Sequence, residues 1–440
     1  MKTRFLGVLA LAAALAACDS PLDTDPTARI DEGSALSTPR GIELGLTGAY
    51  NSLSGGSLYG VNEMVYPDLY ADNLDFTGTF QTDREVALRN ISATNGSVLG
   101  TWGTAYDGIN RANNLLDAIP NVSGLSATDA AVARGEALFI RALHYSILNR
   151  YFGGVPLVLE PTRGVTDASL VARATTAEVW TQVEQDLEEA RGLLPTGKVP
   201  GRATQAAADA LLARVYLESG KYTQARDKAA SVIANTAYRL NTNFRDNYTV
   251  KNSPESIFEL QYTAQDANSQ AFWYFPQALG GRLGYAPSAN LYNAFPAGDT
   301  RRDASISLQG TQRYANKYFR IANGDDNVIV LRLAEMYLIR AEANARLNAP
   351  AATVRADLNV LRARAGLAPL GTDIDTQSEL FDAILLERRL EMAFEGQRFF
   401  DLRRLGRAEA VLQLAPAKLL WPIPQAERDV NANLVQNPGY

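Results

Sequence analysis

Residues Glu387 to Arg404 read ERRLEMAFEGQRFFDLRR. Glu387, Glu391 and Glu395 are spaced four apart, so a helix running through all three would carry them on one face. Arg388, Arg389, Arg398, Arg403 and Arg404 stand in the same stretch. Two chemistries fit such a block. One is an ion-pair network that fixes the helix against its surroundings. The other is an acid and base pair of carboxylates, as in glycoside hydrolysis. The arginines favour the network, because adjacent guanidinium groups hold carboxylates ionised, whereas an acid catalyst must keep its proton.

Working outward, most of the chain shows apolar residues at helical spacing, which predicts a mainly α fold. Residues 101–119 place Trp102, Tyr106, Ile109, Ala112 and Leu116 on one stripe, and residues 130–151 form a second such segment. Residues 175–194 form a third, with Thr176 placed to cap its start and Pro195 to stop it. Two stretches read as helix pairs. The first runs through Ala208, Leu211, Leu212 and Val215, turns at Ser219-Gly220-Lys221, and returns through Tyr222, Ala225, Ala229, Val232 and Ile233. The second runs over 328–347, turns at 348–350 and returns over 351–365, with Ala341 and Ala345 small enough for close approach. Both pairs loosely resemble the tetratricopeptide unit. Residues 244–327 differ: they are rich in Tyr, Phe, Asn and Gly and read as long loop with one strand over 256–262. Long loops on a helical scaffold tend to carry function.

Composition excludes several classes of chemistry. The chain has 440 residues, 46% hydrophobic and 20% charged, with net charge −6, so a large core can form and no basic face invites nucleic acid. There is one histidine, His144, within a helical segment, and one cysteine, Cys18. Metal sites and nucleophile triads usually need more of both. His144 reads as a packing residue, and no metal or cofactor is expected. Glycine-rich phosphate loops, dinucleotide fingerprints and nucleophile elbows are absent from the sequence.

The N-terminus carries its own signal. Lys2 and Arg4 precede an apolar run from Phe5 to Ala17 that ends at Leu15-Ala16-Ala17-Cys18. The run has signal-peptide length and is too short to span a bilayer. Residues 1–17 are therefore expected to be a lipoprotein signal peptide, with Cys18 freed to carry acyl chains. Residues 18–40 read as an acidic, proline-containing tether and 41–440 as the folded domain. Asp19, beside the lipid cysteine, leaves the membrane face open.

Several blocks, taken in order, resemble one family. They include Ala49-Tyr-Asn-Ser-Leu53, Asp72-Asn73, Gly153-Gly-Val-Pro156, Asp299-Thr-Arg-Arg-Asp303 and Val330 to Ala343. Leu358 to Leu367, the Glu387–Arg404 block, Trp421-Pro-Ile-Pro-Gln425 and the ending Asn433 to Tyr440 continue the series. Together they resemble the SusD/RagB family of outer-membrane lipoproteins along nearly the whole mature chain. The resemblance implies a helical scaffold with tetratricopeptide-like pairs around 98–240 and 328–366, and a loop-rich ligand-binding region over 244–327. It implies a lipid-anchored, outward-facing outer-membrane protein without enzymatic activity. Such a protein captures oligosaccharides for a SusC-like TonB-dependent transporter. The alternative is a glycoside hydrolase that uses a carboxylate pair on similar glycans.

Sugar binding without catalysis needs flat apolar faces for the rings and polar groups for the hydroxyls. Two segments supply both. Tyr66 to Phe76, with Phe80 and Arg84 beyond, offers Tyr66, Asp72, Asn73 and Arg84. Phe272 to Tyr292 offers Trp273, Tyr274, Arg282 and Tyr285. Trp102, Tyr106 and Tyr216 lie on regular helical stripes and read as core. Asp72-Asn73 also fits a structural turn, since both side chains bond nearby backbone.

Overall fold

The computed structural model describes residues 32–164 and 170–440. The signal peptide, Cys18 and residues 19–31 lie outside them, while residues 32–40, expected as the end of the tether, belong to the folded domain: they hold the helix Glu32–Ala35, the core-packed Leu36 and the start of the helix Pro39–Ser54. Among the described residues no helix is long and apolar enough to cross a membrane.

The scaffold is a row of helices, each packed on the next in chain order. Pro39–Ser54 packs on Gly96–Ala118, then follow Ala127–Phe152, Thr176–Leu193, Gln205–Glu218 and Tyr222–Ala234. Leu333–Arg346 packs on Tyr222–Ala234, and Ala351–Arg364 and Gln377–Glu391 close that end. The short 219–221 turn lies where the sequence places it and makes Gln205–Glu218 and Tyr222–Ala234 antiparallel neighbours. Ala341 and Ala345 are buried in a second core with Val354, Leu358, Leu361 and Ile384.

Ala127–Phe152 is buried on all sides from Gly135 to Phe152, as expected of a helix enclosed by others. Its polar side chains must then be paired. Arg141 donates to both oxygens of Asp186, at 2.8 and 2.7 Å. His144 is fully enclosed, with Nδ1 2.8 Å from the Ile140 carbonyl and Nε2 3.1 Å from Ser52 Oγ. Burial pushes its pKa down to about 4, so it is neutral near pH 7 and serves packing.

Three expectations are corrected. The helix near 175 is capped by Thr175, not Thr176. Thr175 Oγ1 accepts from the Glu178 N–H, and Glu178 returns a bond to the Thr175 backbone. Residues 328–332 are not helical. Val328–Arg332 is a fully buried strand antiparallel to Ser256–Leu260, and the helix starts at Leu333. The β-branched run Val-Ile-Val suits a pleated, enclosed strand. Third, the helix carrying Glu387 and Glu391 ends at Glu391. Glu395 sits in the turn beyond, between Phe394 at φ 63° and Gly396 at φ 68°. A Cβ on Gly396 would lie 2.0 Å from the Glu63 carbonyl oxygen, so both conformation and space require glycine. The 244–327 region is less bare than expected. It holds the hairpin Ile306–Gln309/Gln312–Ala315 and short helices such as Gln270–Tyr274 and Thr300–Ser305.

Candidate ligand-binding surface

The Glu387–Arg404 block folds into a buried charge cluster, though with different partners from those its own sequence offers. Arg332 donates to Glu391 at 2.5 Å, Glu395 at 2.8 Å and Glu255 at 3.1 Å. Arg301 meets Asp299, Glu387 and Glu391, while Arg364 meets Glu255 and Glu391. Lys317 meets Glu395 at 2.6 Å, and Arg362 lies 3.6 Å from Glu387. Burial alone would raise the Glu391 carboxyl, yet Arg364, Arg332 and Arg301 hold it well below the usual carboxylate range. The neighbouring arginines serve elsewhere: Arg388 pairs with Asp401, and Arg389 and Arg398 pair with Asp72. Glu387, Glu391 and Glu395 are all buried, so none presents a carboxylate to a substrate.

The eight expected binding residues divide by burial. Tyr66, Asn73, Tyr274 and Tyr285 are enclosed, so the expectation that their rings or amide contact ligand is corrected. Asn73 donates to Asp68 and accepts from Arg389 at 2.8 Å. Burial would raise the Asp72 carboxyl, but Arg398 and Arg389 bring it below its ordinary range. The Asp72-Asn73 pair thus joins the 62–70 helix to the Glu387–Arg404 block. Trp273, half-buried, and Arg84 and Arg282, exposed, reach the surface.

Trp273 lies on the five-residue helix Gln270–Tyr274. Successive helical residues point about 100° apart, so Tyr274 enters the core while Trp273 packs at its edge, partly exposed. Phe272 and Phe80, 42% and 44% exposed, flank it. Ring centroids are 5.3 Å apart for Phe272 and Trp273 and 5.9 Å for Phe80 and Trp273, both edge-to-face. The Arg282 guanidinium lies 4.7 Å from the Phe80 centroid and 5.5 Å from that of Trp273, and it donates to Thr79 Oγ1 at 3.1 Å.

Backbone bonds hold this surface from two sides. The Arg282 N–H donates to the Phe272 carbonyl at 2.8 Å, and the Gly284 N–H donates to the Trp273 carbonyl at 2.8 Å. Leu74–Phe76 pairs antiparallel with Tyr285–Pro287, and the Thr77 N–H continues the ladder to the Gly284 carbonyl at 3.0 Å. A Cβ at Gly284 would press on the indole at 3.2 Å, so glycine lets the ladder pass close beneath Trp273. Below, the buried Asp83 accepts from the Tyr66 and Tyr285 hydroxyls, each at 2.8 Å. Burial, with Tyr66 and Asp83 adding, pushes the Tyr285 hydroxyl far up, so it keeps its proton and donates. Tyr285 in turn lies 6.0 Å from Trp273 and 6.1 Å from Phe76. Asp83, Thr79 and Gly284 escaped the sequence reading; their roles depend on partners distant in sequence.

Beside the aromatic surface, across residues 77 and 78, opens a cleft of about 740 Å³. Asp72, Asp75, Phe76, Arg84, Arg89 and Ser288 are among its lining residues. Among the described residues no cluster of His, Cys, Asp or Glu is arranged to hold a metal ion.

The arrangement coincides with a known architecture. A family model described as "Starch-binding associating with outer membrane" matches residues 23–217, and one described as "SusD family" matches 306–419. The chain is 28% identical to a SusD-like protein of Formosa agariphila, covering 100% of both chains. A solved laminarin-binding SusD-like protein is 28% identical, with TM-score 0.81, covering 92% of this chain and 100% of that one. A SusD superfamily protein from Bacteroides vulgatus matches in fold at TM-score 0.84 and 24% identity, covering 92% of this chain and 100% of that one. With two family models matched over most of its length and relatives aligned end to end, the chain belongs to the SusD family.

Proposed function

We propose that this protein binds oligosaccharides at the Phe80–Trp273–Phe272 surface and does not cleave them. One observation carries the reading: Phe80 and Phe272 are exposed on either side of the partly exposed Trp273, and the group is fastened from below by the strand pair and by Asp83. A sugar ring has an apolar face of C–H groups, which an indole or phenyl covers while excluding water. Each stack is worth around 1 kcal/mol, by analogy with aromatic pairs. Arg84, Asp75 and Asp72 in the adjoining cleft supply partners for ring hydroxyls. The starch-binding description of the matched family and the laminarin-binding relative support a glycan ligand. Against hydrolysis stands the ion-pairing of Glu387, Glu391 and Glu395 in the interior.

In this reading acyl chains on Cys18 hold the protein at the outer membrane, facing outward, with the segment between Cys18 and the folded domain as tether. It passes glycans to a SusC-like TonB-dependent transporter for import. Purified protein incubated with a glycan panel tests the central part, with binding read by calorimetry and products by chromatography. Saturable binding without new reducing ends is expected. Cleavage products, or no binding to any member, would overturn the reading. Cys18→Ala should leave an unprocessed precursor and release the protein from membranes.

A further inference from the structure

Arginine in this protein is almost always engaged. Among the described residues only Arg84 and Arg239 have side chains with neither a hydrogen bond nor an ion pair. Arg282 comes next in freedom: its one side-chain bond is to the Thr79 hydroxyl. Two of these three flank the aromatic surface. The Arg282 guanidinium lies over Phe80 and Trp273, at 4.7 and 5.5 Å from their ring centroids. Arg84 follows Phe80 by four residues on the Gln81–Ala87 helix, about one turn away, and lines the adjoining cleft.

The nearby carboxylates do not neutralise them. Asp83 is buried under the Tyr66 and Tyr285 hydroxyls. Glu85 accepts from Asn95 at 2.8 Å and from the Ser92 N–H at 3.0 Å. Asp75 is exposed in the same cleft, yet no ion pair joins it to Arg84. Beyond its bond to Thr79, the Arg282 guanidinium fork has no partner, and that of Arg84 has none. Such a fork matches the two oxygens of a carboxylate or a sulfate ester.

We propose that the glycan held at this surface is anionic, carrying carboxylate or sulfate groups that Arg282 and Arg84 bind while Trp273 and Phe80 cover the sugar rings. This rests on the glycan-binding reading above and specifies its substrate class. It does not follow from net charge, which is −6 and would repel an anion without these two local cations.

The test uses matched pairs. Oligogalacturonates are compared with their carboxyl-reduced neutral forms, and sulfated galactan oligosaccharides with their desulfated forms. Calorimetry is run at low and high salt on the parent, on Arg84→Gln/Arg282→Gln and on Trp273→Ala. The expected result is at least tenfold tighter binding of one charged member than of its neutral counterpart. That margin should shrink with salt and vanish in the double arginine variant, while Asp75→Asn should widen it. Which pair shows the margin tells carboxylate from sulfate. Equal affinity within both pairs, or a margin that survives the double variant, overturns the charge assignment. If Trp273→Ala still weakens binding in that case, the glycan-binding reading stands alone. Binding to no charged member, or a margin that Trp273→Ala leaves intact, overturns this proposal, the latter by placing the anion elsewhere.

Discussion

Around Arg332, the acids Asp299, Glu255, Glu387, Glu391 and Glu395 face Arg301, Arg332, Arg364 and Lys317 in the interior, with the partly exposed Arg362 at the edge. Around Arg282, guanidinium groups face solvent with no carboxylate against them. Both regions set arginine against aromatic rings, since Arg332 lies 5.9 Å from the Phe244 centroid. They differ in what is left unsatisfied. Five acids against five bases leave little to offer a ligand, so the interior cluster fixes the join between strand 328–332 and the last helices. The outer region keeps donors and ring faces unspent, which is what a binding surface needs.

That contrast can be broken most forcefully from the inside. Glu391→Gln leaves Arg332, Arg364 and Arg301 short of a shared carboxylate in the interior, and should cost about 3–5 kcal/mol. Chemical denaturation would measure it, and an unchanged midpoint would contradict the burial of the cluster. A smaller effect should come from the support beneath the surface. Tyr285→Phe removes one of the two tyrosine donors to the buried Asp83 and should cost about 1–3 kcal/mol. It should also loosen glycan binding slightly, since Tyr285 packs near Trp273. Full affinity alongside lost stability would separate the support from the site.

A separate effect concerns pH and a carboxylate with a poorer partner set. Burial raises Glu63 from 4.5 to about 7, although Arg150 opposes the shift. Between those values the folded chain holds the proton and the unfolded chain does not. Its contribution to stability therefore falls as pH rises through that window. The melting temperature of Glu63→Gln relative to the parent should rise between about pH 5 and pH 8. A pH-independent difference would show that Glu63 is not held in this way.

Much of the scaffold was legible because helix pairs repeat their apolar stripes over many residues. The 205–218 and 222–234 pair and its turn follow directly from that spacing. Strand 328–332 was not, since a short apolar run leading into a helix shares the helix's pattern, and only its β-branched residues mark it. The break before Glu395 was signalled by Gly396 alone. At the surface, sequence named two segments but not which of their side chains face outward. Trp273 and Tyr274 are adjacent, and nothing local says which turns outward. Asp83 selects Tyr66 and Tyr285 from positions 17 and 202 residues away, a choice made only by tertiary packing.

The most direct test pairs calorimetry and a melting curve on Trp273→Ala. Loss of one stacking face should weaken binding of the glycan identified in the panel about tenfold, equivalent to about 1.4 kcal/mol. Because the indole is half-buried, stability should fall by clearly less than the roughly 3–5 kcal/mol of a fully buried tryptophan. Unchanged affinity with a loss of stability in that full range would contradict the account, by showing Trp273 to be a core residue and placing the binding surface elsewhere.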